Sequence, residues 1–338
     1  MSSADVDDSE GAALPLEGVQ VVDFTHFVAG PWCTMLLADL GAEVVKVEPP
    51  RVGEIGRRMG AVYQGPHSAI YLAFNRNKRS VELDLKQPQG RETAHRLMTA
   101  ADVVVQNFRP SVAPKLQMDA TGLLDENPKL VYCAISAFGQ TGPYAGRPGN
   151  DPIVQALSGA MLLGREQGER PLRMAVSLPD FAAGVMAALS IISALVRRRR
   201  TGSGALLELN LLDAELFAQV DHVLSLVLNR SAENGAGRPE LPVRGPSEAL
   251  RSRPGITARV EMPDVGRLEV LRTPVRAAPA WPVAHVPPPA LGADTAAVLG
   301  ELGYSAGEIE TLRVNGVVGE SRGEDRYCYP STDVGEEG

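Results

Sequence analysis

Apolar residues in the first half of the chain fall in short solid runs separated by longer, helically spaced stretches. VQVVDF (19–24), EVVKVE (43–48), DVVVQNF (102–108) and KLVYCAIS (129–136) read as strands, and RSVELDL (79–85) joins them by its alternation. Between them, residues 30–42 place Trp32, Met35, Leu36 and Leu40 at helical spacing before a stop at Gly41, and GRETAHRLMTAA (90–101) is again helical. Strands alternating with helices of this length predict crossover units on a mostly parallel sheet, an α/β fold with flanking helices.

Further on, the pattern lengthens. DPIVQALSGAMLL (151–163), the stretch 173–202 and residues 211–229 read as long helices, with a strand at ALLELNL (205–211). Residues 231–257 are rich in Gly, Pro, Ser and charge and read as a linker. Strand-like sequence returns at 258–276, 278–292 is proline-rich and extended, and 295–318 reads as two short helices joined at Gly303. The expected organisation is a loose tail (1–15), a large domain (16–230), the linker (231–257), a closing segment that returns to the large domain (258–318) and a second loose tail (319–338).

Composition narrows the function classes. The chain has 338 residues, 44% of them hydrophobic, and a net charge of −8, the opposite of the basic excess expected of a nucleic-acid binder. Cys33, Cys133 and Cys328 are sparse and share no short spacing, and the five histidines are scattered, so neither a disulfide framework nor a metal site is expected. The apolar run 181–196 stops at Arg197, short of the roughly 20 residues of a membrane span. The acidic N-terminus lacks the layout of a secretion signal, and the expected compartment is the cytoplasm.

Familiar motifs are absent. No phosphate-binding GxGxxG or GxxxxGK[ST] occurs, nor a Gly-x-Ser-x-Gly elbow. Arg197–Arg200 are expected to lie solvated at a helix C-terminus. Cys33 and Cys133 read as small buried hydrophobes. His26, in DFTHFVAGP, falls at a strand-to-helix turn, where such sheets present ligand contacts. Asp180, in SLPDFAAG, opens the helix of 173–202; helix capping explains it as readily as chemistry does.

Several stretches in order change that balance. LEGVQVVDFTHFVAGPWCTMLLADLGAEVVKVEPP, NRNKRSVELDLKQPQG, DVVVQNFRPSVAPKL, FGQTGPYAGRPGNDPIVQALSG, RMAVSLPDFAAGVMAALSIISALVRRRRTGSG and the closing VEMPDVGRLEVLRTPVR resemble the class III CoA-transferases. That resemblance implies a Rossmann-like open sheet and makes Asp180 the nucleophile. It would attack an acyl-CoA thioester, form a mixed anhydride and then an aspartyl-CoA thioester, and pass CoA to an incoming carboxylic acid. A helix N-terminus suits an ionised carboxylate, and Ala182, Ala183 and Gly184 are expected to leave room for the thioester.

The resemblance further implies a coenzyme A site, with CoA as substrate and no tightly bound cofactor or metal. Val28 and Ala29 fall near the thiol, Leu83, Asp84, Leu85 and Lys86 at the nucleotide, and Asn107, Phe108 and Arg109 along the arm. Lys115 matches a basic residue there, and Pro148, Gly149, Asn150 and Asp151 match a contact loop. The related acyl-CoA racemases carry histidine where this chain has Asn150, and asparagine cannot act as a general base, so racemisation is disfavoured. In the family a smaller domain lies between the long helices and the closing segment; here only the linker stands there. Two alternatives accompany the transferase: a CoA-binding partner subunit of a heteromer, and a racemase. A homodimer, interlocked as family members usually are, or a heteromer with a related subunit is expected, with no nucleic-acid or membrane partner.

Overall fold

The computed structural model describes residues 13–164, 169–223, 257–262, 266–271 and 286–319. Six strands form one sheet with every neighbouring pair parallel: β1 (Gln20–Phe24), β2 (Glu43–Glu48), β5 (Lys78–Glu82), β6 (Val103–Gln106), β7 (Val131–Ser136) and β8 (Ala205–Asn210). The two-residue strands β3 (Tyr63–Gln64) and β4 (His67–Ser68) pair separately, and β9 (Thr257–Met262) with β10 (Gly266–Leu271) makes an antiparallel hairpin. The order β5-β2-β1-β6-β7-β8 means that the chain winds outward from β1 in one direction and then from β6 in the other. Loops leaving β1 and β6 therefore diverge, opening a crevice at the carboxyl ends of the strands.

Both faces are covered, which is why the strands read as solid apolar runs. On one face Val21, Val44, Val103, Val105 and Cys133 pack under α1 (Ala29–Asp39) and α6 (Leu178–Thr201), which contributes Ala183, Ala187 and Ile191. On the other, Val22, Phe24, Val47, Val81 and Val104 meet α3 (Pro88–Ala100) and α4 (Ala120–Glu126). The same layer holds Val298 and Leu299 of α8 (Thr295–Glu301) and Ile309 and Leu312 of α9 (Ala306–Val314). Backbone bonds from Asp84 N–H to Val317 O (2.8 Å) and Asn77 N–H to Val286 O (3.0 Å) stitch this late segment to the loops around β5. The remaining helices are α2 (Ala69–Phe74), α5 (Asp151–Leu157) and α7 (Leu211–Ala218).

Several expectations need correction. The helix expected over 151–163 ends at Leu157, and a separate 3₁₀ turn follows at Ala160–Leu162. That expected over 211–229 is α7 as far as Ala218, broken by a turn at Gln219 and helical again over 220–223; residues 224–229 lie outside the described ones. So do most of the linker, residues 1–12, Cys328 and nearly all of the C-terminal tail. By length and composition α6 could cross a membrane, but its small residues are buried against the sheet and α1, as in a core helix. Gly202, left-handed at φ 73°, ends it, as the sequence pattern predicts. Arg198 is not simply solvated: it pairs with Asp102 at 2.8 Å beside a surface cavity of about 380 Å³. That cavity lies at the amino ends of the strands, remote from the crevice.

Candidate active site

The loop from β1 into α1 is fixed residue by residue. Thr25 donates from N–H and Oγ1 to Asp23 Oδ1 at 2.8 and 2.6 Å, while its own carbonyl accepts from Lys46 Nζ at 2.8 Å. The Asn107 amide bridges the crevice: its Oδ1 accepts from His26 N–H (2.9 Å) and its Nδ2 donates to His26 O (2.8 Å). Phe27, at φ 67°, sits in the left-handed region, and its N–H donates to Glu54 Oε2 at 3.2 Å. A strained turn of this kind persists only when its surroundings over-determine it, and here they do.

Beneath the loop lies a buried ionic layer. Asp23, Lys46 and Glu48 are fully buried, and Lys78 and Arg57 nearly so. Burial alone would raise the Asp23 carboxyl, but Lys46 and Lys78 hold it well below the usual carboxylate range. Glu48, likewise buried, is brought down to about 2 by Arg57, which donates to it from Nε and Nη2 at 2.7 Å each. Burial lowers Lys78 to about 8, against the pull of Asp23 at 3.1 Å. Burial, then the Lys46 charge, push His26 down to about 4, so its imidazole is neutral near pH 7 and rests edge-on to Phe108 at 5.4 Å.

Asp180 is the third residue of α6 and is half-buried. Neither Ser177, the N-cap of α6, nor Val28, the N-cap of α1, makes a side-chain cap. The Asp180 carboxylate instead lies by the backbone N–H of Ala29 in the first turn of α1, which favours its charged form. Burial pushes its pKa up to about 7, the neighbouring Asp151 charge pushes the same way, and the Ala29 N–H opposes both. Desolvation thus outweighs the helix-terminus effect that the sequence suggested would keep this carboxylate ionised.

Small residues bring the two helices together. A Cβ on Gly184 would lie 2.6 Å from Ala29 O and 2.7 Å from Trp32 Cδ1. Of the residues expected to make room for a thioester, Gly184 is closed off by α1 and Ala183 is completely buried in the core. Around the acid stands an aromatic wall that sequence reading missed: Trp32, Phe74 and Phe181 contact edge-to-face with centroids 5.5–6.0 Å apart. The Trp32 Nε1–H is buried without a partner.

The other predicted site residues line the same edge of the sheet. Val28 and Ala29 follow β1; Leu83, Asp84, Leu85 and Lys86 follow β5; Asn107, Phe108 and Arg109 follow β6. Four adjacent strands, β5 to β6, span about 15 Å at that edge. Leu83 is buried in the core, whereas Lys86, Arg109 and Lys115 are exposed. Asp84 ties its own turn, accepting Lys86 N–H at 3.0 Å. Pro148 is exposed, Gly149 lies against Ala137 and Phe138, and Asn150 is the N-cap of α5, facing Ile153 N–H at 3.5 Å. Asp151 is buried, and its charge works against the ionisation of both Asp180 and Glu215. Among the described residues no group of three metal-ligating side chains occurs.

A doubly wound parallel sheet with a half-buried carboxylate of raised pKa beside its switch point defines an α/β protein of ligand-binding architecture. Comparison with known proteins narrows the class: CoA-transferase family III matches residues 16–258, and the chain belongs to that family. It is 40% identical over 236 residues to the succinate–glutarate CoA-transferase of Agrobacterium fabrum, covering 68% of this chain and 57% of that protein. To the succinyl-CoA:glutarate CoA-transferase of Homo sapiens it is 38% identical over 210 residues, covering 62% and 48%. The crystal structure of a CAIB/BAIF family protein from Brucella suis superposes with a TM-score of 0.78 at 26% identity, covering 86% of this chain and all of that one. The chain spans about half the length of the curated relatives it matches.

Proposed function

We propose that the chain transfers CoA from an acyl-CoA thioester to a carboxylic acid, with Asp180 as nucleophile. The observation that carries this reading is the Asp180 carboxylate, poised near neutrality at the meeting of two helix N-termini. An Oδ of ionised Asp180 attacks the thioester carbonyl; the C–S bond breaks, and CoA leaves as thiolate from a mixed anhydride. The thiolate attacks the aspartyl carbonyl, releasing the first acid as carboxylate and leaving aspartyl-CoA. The incoming carboxylate displaces the thiolate, which then takes the new acyl group and frees Asp180. No proton is consumed, and a carboxylate with pKa near the working pH serves well. The N-terminal N–H groups of α1 are available to a developing oxyanion.

The exposed Arg109 and Lys115 are proposed as partners of the CoA phosphates, and Val28 and Ala29 as neighbours of its thiol. The relatives named for succinate, glutarate and oxalate support acyl-CoA and a small carboxylic acid as substrates. Sparse cysteines support a cytoplasmic setting, and the exposed Val185, Leu189 and Val196 along α6 support a homodimer. A relative named as a β subunit favours a second reading: a CoA-binding subunit that transfers nothing itself.

Trapping separates the two. With acyl-CoA and hydroxylamine, the transferase accumulates an aspartyl hydroxamate at Asp180, read by peptide mass spectrometry, and D180A does not. CoA binding with an unmodified Asp180 contradicts the transferase and favours the subunit.

A further inference from the structure

The approach to α6 is built around a second carboxylate. Asp151, the first residue of α5, is 6% exposed, and its two oxygens have different partners. Oδ1 accepts from Gln155 Nε2 at 2.7 Å, and Oδ2 accepts from Nε and Nη2 of Arg173 at 3.1 and 2.7 Å. Gln155, fully buried, also accepts Met174 N–H at 2.8 Å and turns its Nε2 toward the carbonyls of Met174 and Val176, at 3.4 and 3.3 Å. One carboxylate and one amide thus fasten residues 173–176 to α5, four residues ahead of Asp180.

We propose that Arg173 is a positioning residue for the nucleophile: its ion pair with Asp151 contains the charge of that carboxylate and anchors the segment that delivers Asp180. This rests on the reading of Asp180 as nucleophile. Two carboxylates side by side oppose each other's ionisation, and a guanidinium with two N–H groups on one of them relieves the other.

The groups facing the pair are few. From α7 comes Glu215, fully buried, neither oxygen hydrogen-bonded, its pKa raised by burial and by Asp151, which favours its protonated form. From α1 comes the uncharged Ala29 N–H. From the segment before α6 comes Arg173 itself, whose side chain is 53% exposed. Among the described residues, Arg173 is the cation in direct contact with this set.

The test uses the full chain with R173Q, R173K, D151N and R173Q/D151N. Titration of the Asp180 carboxyl by ¹³C NMR, assigned with D180N, is paired with the pH dependence of kcat/KM for succinyl-CoA and glutarate. In R173Q both midpoints move up by roughly one pH unit, so the rate near pH 6 falls about tenfold and recovers at high pH. R173K, which keeps one positive charge, moves them less; D151N moves them down, and R173Q adds nothing in the D151N background. An unmoved midpoint in folded R173Q, or the same shift with and without Asp151, overturns the inference. Should R173Q not fold, R173K set against D151N decides by the same criterion. A moved NMR midpoint without a trapped adduct upholds the ion-pair role and overturns the nucleophile reading. An adduct with an unmoved midpoint does the reverse.

Discussion

Asp180 is held between opposing influences, and its folded-state pKa of about 7 lies above the ordinary 3.8. The sign follows directly. A raised pKa favours the protonated acid, so the stability tied to this site is full below about pH 4 and is lost as pH rises through about 7. D180N, uncharged throughout, is expected to be more stable than the parent at pH 8 by about 1–2 kcal/mol, less than full linkage because water reaches part of the carboxyl. In denaturant titrations the gap shrinks to roughly a third at pH 5 and closes below about pH 4; an equal gap at pH 8 and pH 4 contradicts the raised pKa. Asp180 and Asn107 were legible because each stands in a motif of ordered stretches. Lys46 and Glu48 were not read as buried charges. Their signal was available: Lys46 and Glu48, two of the three charged residues in EVVKVE, must find partners if that strand is covered on both faces. Arg173 carried no such mark, because its partner Asp151 is distant in sequence and meets it only through the fold.

The meeting of α1 and α6 sets the site at the level of elements. Gly184 permits it, since any Cβ there would run into the Ala29 carbonyl and Trp32. G184A is expected to push the helices apart at a cost of about 1–3 kcal/mol and to draw the Ala29 N–H away from Asp180. The thermal unfolding midpoint should fall, and kcat should drop more than tenfold with KM for acyl-CoA little changed, because the reacting geometry is lost and not the contacts proposed for the CoA moiety. Full kcat in a folded G184A would contradict that geometry. The six parallel strands were legible since two-sided burial writes itself as uninterrupted apolar sequence. Helix ends were less so. α5 and α7 both start at an asparagine cap, Asn150 and Asn210, yet α5 stops sooner than its apolar content suggests and α7 is interrupted at Gln219. The short α2 and α4 and the β3–β4 ladder lack the length over which periodicity becomes visible.

For the whole molecule, the late segment matters as much as the half that carries the crevice. Residues 286–319 return to seal the second face of the sheet, where Leu299 and Val317 are completely buried. The winding about β1 and β6 then places on one edge the loops from β5, β1 and β6 and the N-terminus of α6. Every step of the proposed transfer would have to occur at that edge, within a chain about half as long as its curated relatives. The reaction leaves an isotopic record there. When an ¹⁸O-labelled acceptor acid displaces CoA from aspartyl-CoA, one labelled oxygen bridges the new anhydride and stays on Asp180 when the thiolate takes the acyl group. Turnover of the chain alone with acyl-CoA and the ¹⁸O-labelled acid should therefore add heavy oxygen to the peptide bearing Asp180, and to no other carboxylate. Transfer of CoA at full rate with that peptide unlabelled would contradict the account.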